Sequence, residues 1–258
     1  MSIVKRNKLK ALSQAELNKV AHIGVDKSNK ADIDSSATVK ADNTNTIAIK
    51  PELELFNASI DANLSQLKKF LTLEEKDKFK AEAIEKDEYI DYVDRYLASG
   101  EHYPNKAFTW IFIWLVDLGH WQQVLNYLPH LITQQQHLPK VFNTKEWTTF
   151  LIDQLYDAGS KELQEQQKIN ERTPEVLSKS QIINVFNSLI AFVEKEKPVV
   201  NDVVLGKLYT MAAKLEYVHF NLGNSLNLCL KATKTNDKAG VKKLAKDIAK
   251  NINKNITI

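Results

Sequence analysis

The chain has 258 residues, 43% apolar and 26% charged, which is the size of one large domain or two small ones and the composition of a folded protein rather than a disordered one. A single cysteine, Cys229, excludes a disulfide framework and any cysteine-rich zinc site. No apolar run reaches the ~18 residues a membrane span needs; the best candidate, Phe108 to Leu118, is interrupted by Thr109 and Asp117. The N-terminus has charge but no apolar segment behind it, so no secretory signal is expected.

The net charge of +3 hides a segregation. Residues 1–50 carry nine Lys/Arg against five Asp/Glu, and residues 231–258 carry eight Lys against Asp237 and Asp247. The ends are therefore +4 and +6 and the body between them is −7. Two basic ends on an acidic body suit a protein whose ends touch a polyanion while its body touches protein. Seven glycines and six prolines stand singly between long periodic stretches, and no convincing strand is visible, so the expected fold class is all-α.

In chain order, residues 1–25 hold a basic tail and a short amphipathic helix, Leu12 to Ile23, opened by the capping box Ser13-Gln14-Ala15-Glu16. Leu12 to Val25 looks like the first half of a helix-turn-helix, but Asp26 to Ser36 has too few apolar anchors for a docked recognition helix. Residues 26–50 have no aromatic residue and read as a disordered linker ending before Pro51. Over 51–100 the spacing predicts two charged helices and a possible oligomerisation region. The first carries Leu53, Phe56, Ile60, Leu64, Leu67 and Leu71, and the second runs from the capping box at Thr72 to Leu97.

The remaining segment, 101–258, reads as a core of antiparallel helical hairpins. Phe108 to Leu118 is apolar on nearly all faces and should be the centre, with Gly119 as its cap and Trp121 to Ile132 as the returning helix. Further helices are expected over Thr144 to Ile169, Ser178 to Lys197, Asp202 to Leu222, Asn224 to Thr235 and Asp237 to Ile252. Asp117-Leu118-Gly119 is echoed by Asn221-Leu222-Gly223, and the second instance has tetratricopeptide-like character, a helical hairpin followed by a capping helix.

No phosphate-cradling glycine loop, no H-E-x-x-H and no G-x-S-x-G occurs, so no catalytic residue, metal or cofactor is assigned. His102, His120, His130 and His137 are too irregular for a zinc set, and Cys229 reads as a small core residue. The acids Glu85, Asp87, Glu88, Asp91 and Asp94 spread around a helix with Lys86 and Arg95 between them, which suits a solvated surface better than a magnesium site. Asp117, among apolar residues at a helix end, is expected to bond backbone or a neighbouring helix there. Trp110 and Trp114 share a face and read as core. The candidate DNA-binding residues are Lys5, Arg6, Lys8 and Lys10 at one end and Lys242, Lys243, Lys246 and Lys250 at the other. The latter, with Lys254, line the outer face of a helix that turns Val241, Leu244, Ala245, Ile248 and Ile252 inward.

The stretch Asn105 to Leu125, with Leu138-Pro139 after it, resembles the small terminase subunit of temperate tailed phages, a family labelled terminase endonuclease subunit. Its pattern is an apolar helix ending Trp-Arg-x-Asp-x-Gly-Asp. Trp114, Asp117 and Gly119 match, while Leu115 replaces the Arg and His120 the second Asp. Leu67-Lys68-Lys69, Tyr92-Val93 to Leu97 and Lys231 to Lys243 also line up. The resemblance implies a homo-oligomeric protein of the bacterial host cytoplasm that binds double-stranded phage DNA and hands it to a large ATPase–nuclease subunit, where catalysis would lie. The other readings are a tetratricopeptide-like protein–protein adaptor and an autonomous metal-dependent endonuclease using Asp117.

Overall fold

The computed structural model describes residues 51–172 and 181–256. Among them every regular element is an α-helix: α1 (Pro51–Leu67), α2 (Leu73–Lys86), α3 (Tyr89–Ala98), α4 (Lys106–Leu118), α5 (Trp121–Thr133), α6 (Trp147–Arg172), α7 (Gln181–Glu196), α8 (Asp202–Val218), α9 (Leu222–Thr235) and α10 (Lys242–Ile256). The all-α expectation holds. The helix expected over Leu12 to Ile23, the linker 26–50, the start of the helix expected at Ser178 and the basic residues Lys5, Arg6, Lys8 and Lys10 lie outside the described residues.

α4 sits at the centre. Nine of its thirteen residues are buried, including Phe108, Ile111, Phe112, Trp114 and Leu115, because a helix without a polar face must be covered on all sides. α1, α2 and α3 cover it from one direction with Ile60, Ala83, Ile84, Tyr89, Tyr92 and Val93, and α5 returns along it with Val124, Leu128 and Leu131. Trp147 and Phe150 at the start of α6 extend the same core through an edge-on contact of Trp147 with Phe112, ring centroids 5.2 Å apart. From α6 the core continues into α8 and the α8–α9 hairpin.

Several boundaries differ from those expected. α1 ends at Leu67, and Leu71, expected on its apolar face, lies beyond it and is exposed. The helix predicted from Thr72 to Leu97 is two helices. Its Thr72–Glu75 capping box is formed as expected, but the chain breaks at Asp87-Glu88, where Glu88 takes the left-handed conformation at φ 51°. No glycine or proline marks the break. It is held from outside, by Ser59 and Asn63 of α1. Both donate to the Asp87 carboxylate, at 3.1 and 2.8 Å, and both bond the Tyr89 hydroxyl, at 2.7 and 2.8 Å. α6 starts at Trp147 rather than Thr144, and α10 at Lys242 rather than Asp237. In the latter case Asn236 first folds a turn, accepting from the Ala239 and Lys238 N–H groups, and Gly240 leaves it at φ 78°.

The predicted echo between Asp117-Leu118-Gly119 and Asn221-Leu222-Gly223 is out of register by three residues. α4 ends with His120 N–H donating to Leu115 C=O and Gly119 N–H to Val116 C=O, and Gly119 is left-handed at φ 74°. α8 ends with the same pair of bonds, from Asn221 to Glu216 and from Phe220 to Tyr217, and here the left-handed residue is Phe220 at φ 61°. Gly119 therefore corresponds to Phe220, while Gly223 lies inside α9. The echo is real as a hairpin geometry.

α6 and α8 approach closely at Gly159. A Cβ there would stand 2.9 Å from Met211 Cγ and 2.9 Å from the Phe186 ring. Gly159→Val should therefore lower unfolding stability by about 2 kcal/mol, the usual cost of overpacking a filled core. A urea titration followed by circular dichroism checks this: the midpoint falls while native helicity is kept.

Candidate functional site

The residues singled out by the family pattern lie at the C-terminal end of α4. Trp114 is buried beneath Tyr89, as expected of a core residue. Gly119 supplies the left-handed cap. Asp117 bonds a neighbouring helix: its carboxylate accepts from Lys80 Nζ of α2 at 2.8 Å, and the same ammonium donates to Asp77 at 2.8 Å. Lys80 is only 6% exposed. A carboxylate at a helix C-terminus meets the negative end of the backbone dipole, so a cation is needed beside it. Lys80 supplies it.

Desolvation pulls Lys80 down, but Asp117 and Asp77 more than offset this and its pKa lies above the ordinary lysine value. At Asp117, desolvation pushes the carboxyl up and Lys80 pulls it only part of the way back. Asp117 keeps 34% of its side chain in solvent and has an ammonium at 2.8 Å, so it is ionised at neutral pH and the pair is an ion pair.

The two departures from the family pattern have clear environments. Leu115 is fully buried, so an arginine could not stand there without rebuilding the core. His120 is the N-cap of α5 and makes no side-chain capping bond, where an aspartate would be favoured.

Sequence reasoning missed Lys80. The signal was a lysine in the apolar stripe Phe79, Ala83 and Ile84, three residues after Asp77; its tie to Asp117 spans 37 positions and no local pattern shows it. A second missed feature is Glu216, 4% exposed in the apolar run Met211 to Val218. Its carboxylate accepts from Asn187 at 3.0 Å, Asn224 at 2.6 Å and Asn221 at 2.9 Å. A third is the network at the N-terminal end of α4. There Asn105 accepts from Phe108 N–H and donates to Tyr92, and Gln136 receives the Asn105 N–H at 2.8 Å while donating to Tyr103 C=O at 2.7 Å.

The acidic run on α2 and α3 is largely committed to structural partners. Asp87 holds the α1 contact, Tyr127 donates to Asp94 at 2.7 Å, and Asp91 and Glu52 both pair with Arg95. His102, His120, His130 and His137 are exposed, and among the described residues no three potential ligands converge on a metal position. Cys229 is buried, and burial pushes its thiol pKa up, as fits a packing role.

α10 is amphipathic as expected. Val241 and Ile248 are buried, Leu244 and Ala245 partly so, and Lys242, Lys243, Lys246 and Lys250 are exposed on the outer side. Lys242 is tied to Asp237. Lys254 lies where only the backbone is described. An open cavity of about 470 Å³ lies between α7, α8 and α9, lined by Glu194, Asp202, Tyr209, Lys231 and Lys234, with Glu194 taken up by Tyr209 and Lys231. No helix among the described residues is long and apolar enough to cross a membrane.

The central apolar helix thus ends in Trp-x-x-Asp-x-Gly, clamped by a lysine from a preceding helix. The family model of the phage small terminase subunit matches residues 57–185, half of the chain. The chain belongs to that family, whose work is phage DNA packaging. The match spans α1 through the beginning of α7, and α8 to α10 lie outside it. No curated protein and no solved structure matches the chain.

Lys80→Met should destabilise the protein by about 2 kcal/mol at pH 7, less than a fully buried broken pair costs because Asp117 is partly solvated. Without the ammonium, desolvation holds Asp117 still further above its unfolded value. The variant's deficit is then full at neutral pH and shrinks as pH falls toward 4, where the carboxyl protonates in the folded state. Thermal melts of both proteins between pH 4 and 8 check this; a deficit that grows on acidification would refute it.

Proposed function

We propose that this chain is the DNA-binding component of a packaging complex. Several copies associate in the cytoplasm of the bacterial host, engage double-stranded phage DNA, and deliver it to the large ATPase–nuclease subunit. Family membership supports the packaging role, and the observation that carries DNA contact is the exposed lysine row of α10 on a helix whose apolar side is spent on α9. Such a row neutralises phosphates without reading bases, so affinity comes with strong salt dependence and little sequence preference. Repetition of the row in an oligomer raises avidity without any new kind of interaction. Lys5, Arg6, Lys8 and Lys10 would add a second set of phosphate contacts from the N-terminal segment.

Two other readings have less support. A peptide adaptor would use the open cavity between α7, α8 and α9, whose charged lining is already partly paired within the chain. An autonomous nuclease would need a metal to displace Lys80 from Asp117.

Replacing Lys242, Lys243, Lys246 and Lys250 together by Ala should weaken duplex binding. It should also lower the slope of log affinity against log salt by up to about 3.6, at ~0.9 for each of the four phosphates no longer neutralised. Fluorescence anisotropy over a salt series measures both. Equal slopes for the two proteins would remove α10 from the DNA interface. Sedimentation with and without DNA tests association, and an unassociated monomer indifferent to DNA would favour the adaptor.

A further inference from the structure

Phe220 is the residue the packaging role leaves unused. It is 67% exposed, and it holds the left-handed cap position that Gly119 holds in the sister hairpin. A bulky residue there carries backbone strain that glycine would not, and a solvent-facing aromatic ring gains nothing from burial. Stability of the free protein therefore does not account for the side chain.

Its surroundings are fixed from below. Asn221, the next residue, and Asn224 in the first turn of α9 are both anchored on the buried Glu216 carboxylate, with Asn187 of α7 on the same oxygens. Each of these bonds uses one amide hydrogen. Each asparagine keeps a second N–H and a carbonyl oxygen, the adjacent donor and acceptor that the edge of a nucleobase demands.

Among the described residues no other exposed large apolar side chain belongs to this set. One ring among amides matches the footprint of a single base, whereas a stable protein interface needs an apolar core over ~1,000 Å². α9, which starts at this turn, is the helix that carries α10 and its lysine row. A helix of 14 residues is about 21 Å long, roughly the rise of six base pairs. The length of α9 thus sets the scale of the separation between the ring and the lysine row.

We propose that the α8–α9 turn is a base-binding site, in which Phe220 stacks on an unpaired or unstacked base and the Asn187, Asn221 and Asn224 amides face its edge. The site rests on the DNA-binding reading and adds to it a preference for DNA that is opened, gapped or kinked.

The test uses Phe220→Gly in the full chain, since glycine suits the backbone conformation and should leave the melting temperature unchanged or higher. Binding is measured to a continuous duplex and to the same duplex with a short single-stranded gap containing 2-aminopurine. The wild type should prefer the gapped DNA and change the 2-aminopurine fluorescence. The variant should bind gapped DNA about ten-fold more weakly, within the range measured for base–aromatic stacking, lose the fluorescence change, and keep the wild-type salt slope. If wild type and variant bind both DNAs alike, the base site is refuted while the lysine interface stands. If the variant differs only in its mass in solution, the ring is a protein contact and the proposal fails. A wild type that binds neither DNA overturns the DNA-binding reading along with it.

Discussion

A helix with no polar face has to be surrounded, and α4 imposes that requirement on the family-matched half of the molecule. Its side chains can be hidden by any apolar neighbours, but the polar groups at its two ends cannot be ignored once those neighbours close in. At the N-terminal end the solution is neutral, with Asn105, Tyr92 and Gln136 exchanging hydrogen bonds and the Trp147 indole donating to the Gln136 carbonyl. At the C-terminal end it is ionic, with Lys80 set between Asp77 and Asp117. Both solutions recruit residues from other helices, and so they fix where α2, α3, α5 and α6 stand.

The distribution of charge follows a different logic from the packing. The acids of α2 and α3 bond side chains of other helices, orienting helix ends and tyrosines, and their net charge leaves the body negative. The lysines of α10 are mostly outward and unspent, with Lys242 tied to Asp237. Surface ion pairs of that kind contribute little to stability, so the lysine row adds little to the fold. In the function we propose, its value is as a field directed at a polyanion.

Period and composition made the helices legible, along with the centrality of Phe108 to Leu118, the burial of Trp114 and Cys229, and the inward and outward faces of α10. These are properties of single segments. What was not legible depends on distant partners. Nothing near Asp87-Glu88 announces a break, because the atoms that hold it belong to Ser59 and Asn63. Asp117 could be assigned a partner helix but not a partner, since Lys80 is 37 positions away. The hairpin echo was placed on Gly223 because glycine is the expected left-handed cap; the chain uses a phenylalanine instead. Lys5, Arg6, Lys8 and Lys10 remain readings from sequence.

The bare backbone of Gly159 lets α6, inside the family-matched region, lie directly against α8, outside it. The seam is continuous with the core, where Leu151, Ile152 and Leu155 of α6 and Leu208, Ala212 and Leu215 of α8 are all shielded from water. A recombinant fragment cut at residue 185 to isolate the recognised portion would strip that shield and leave a sticky flank on α6. The edge of the family match is thus not a place where the folded molecule can be divided.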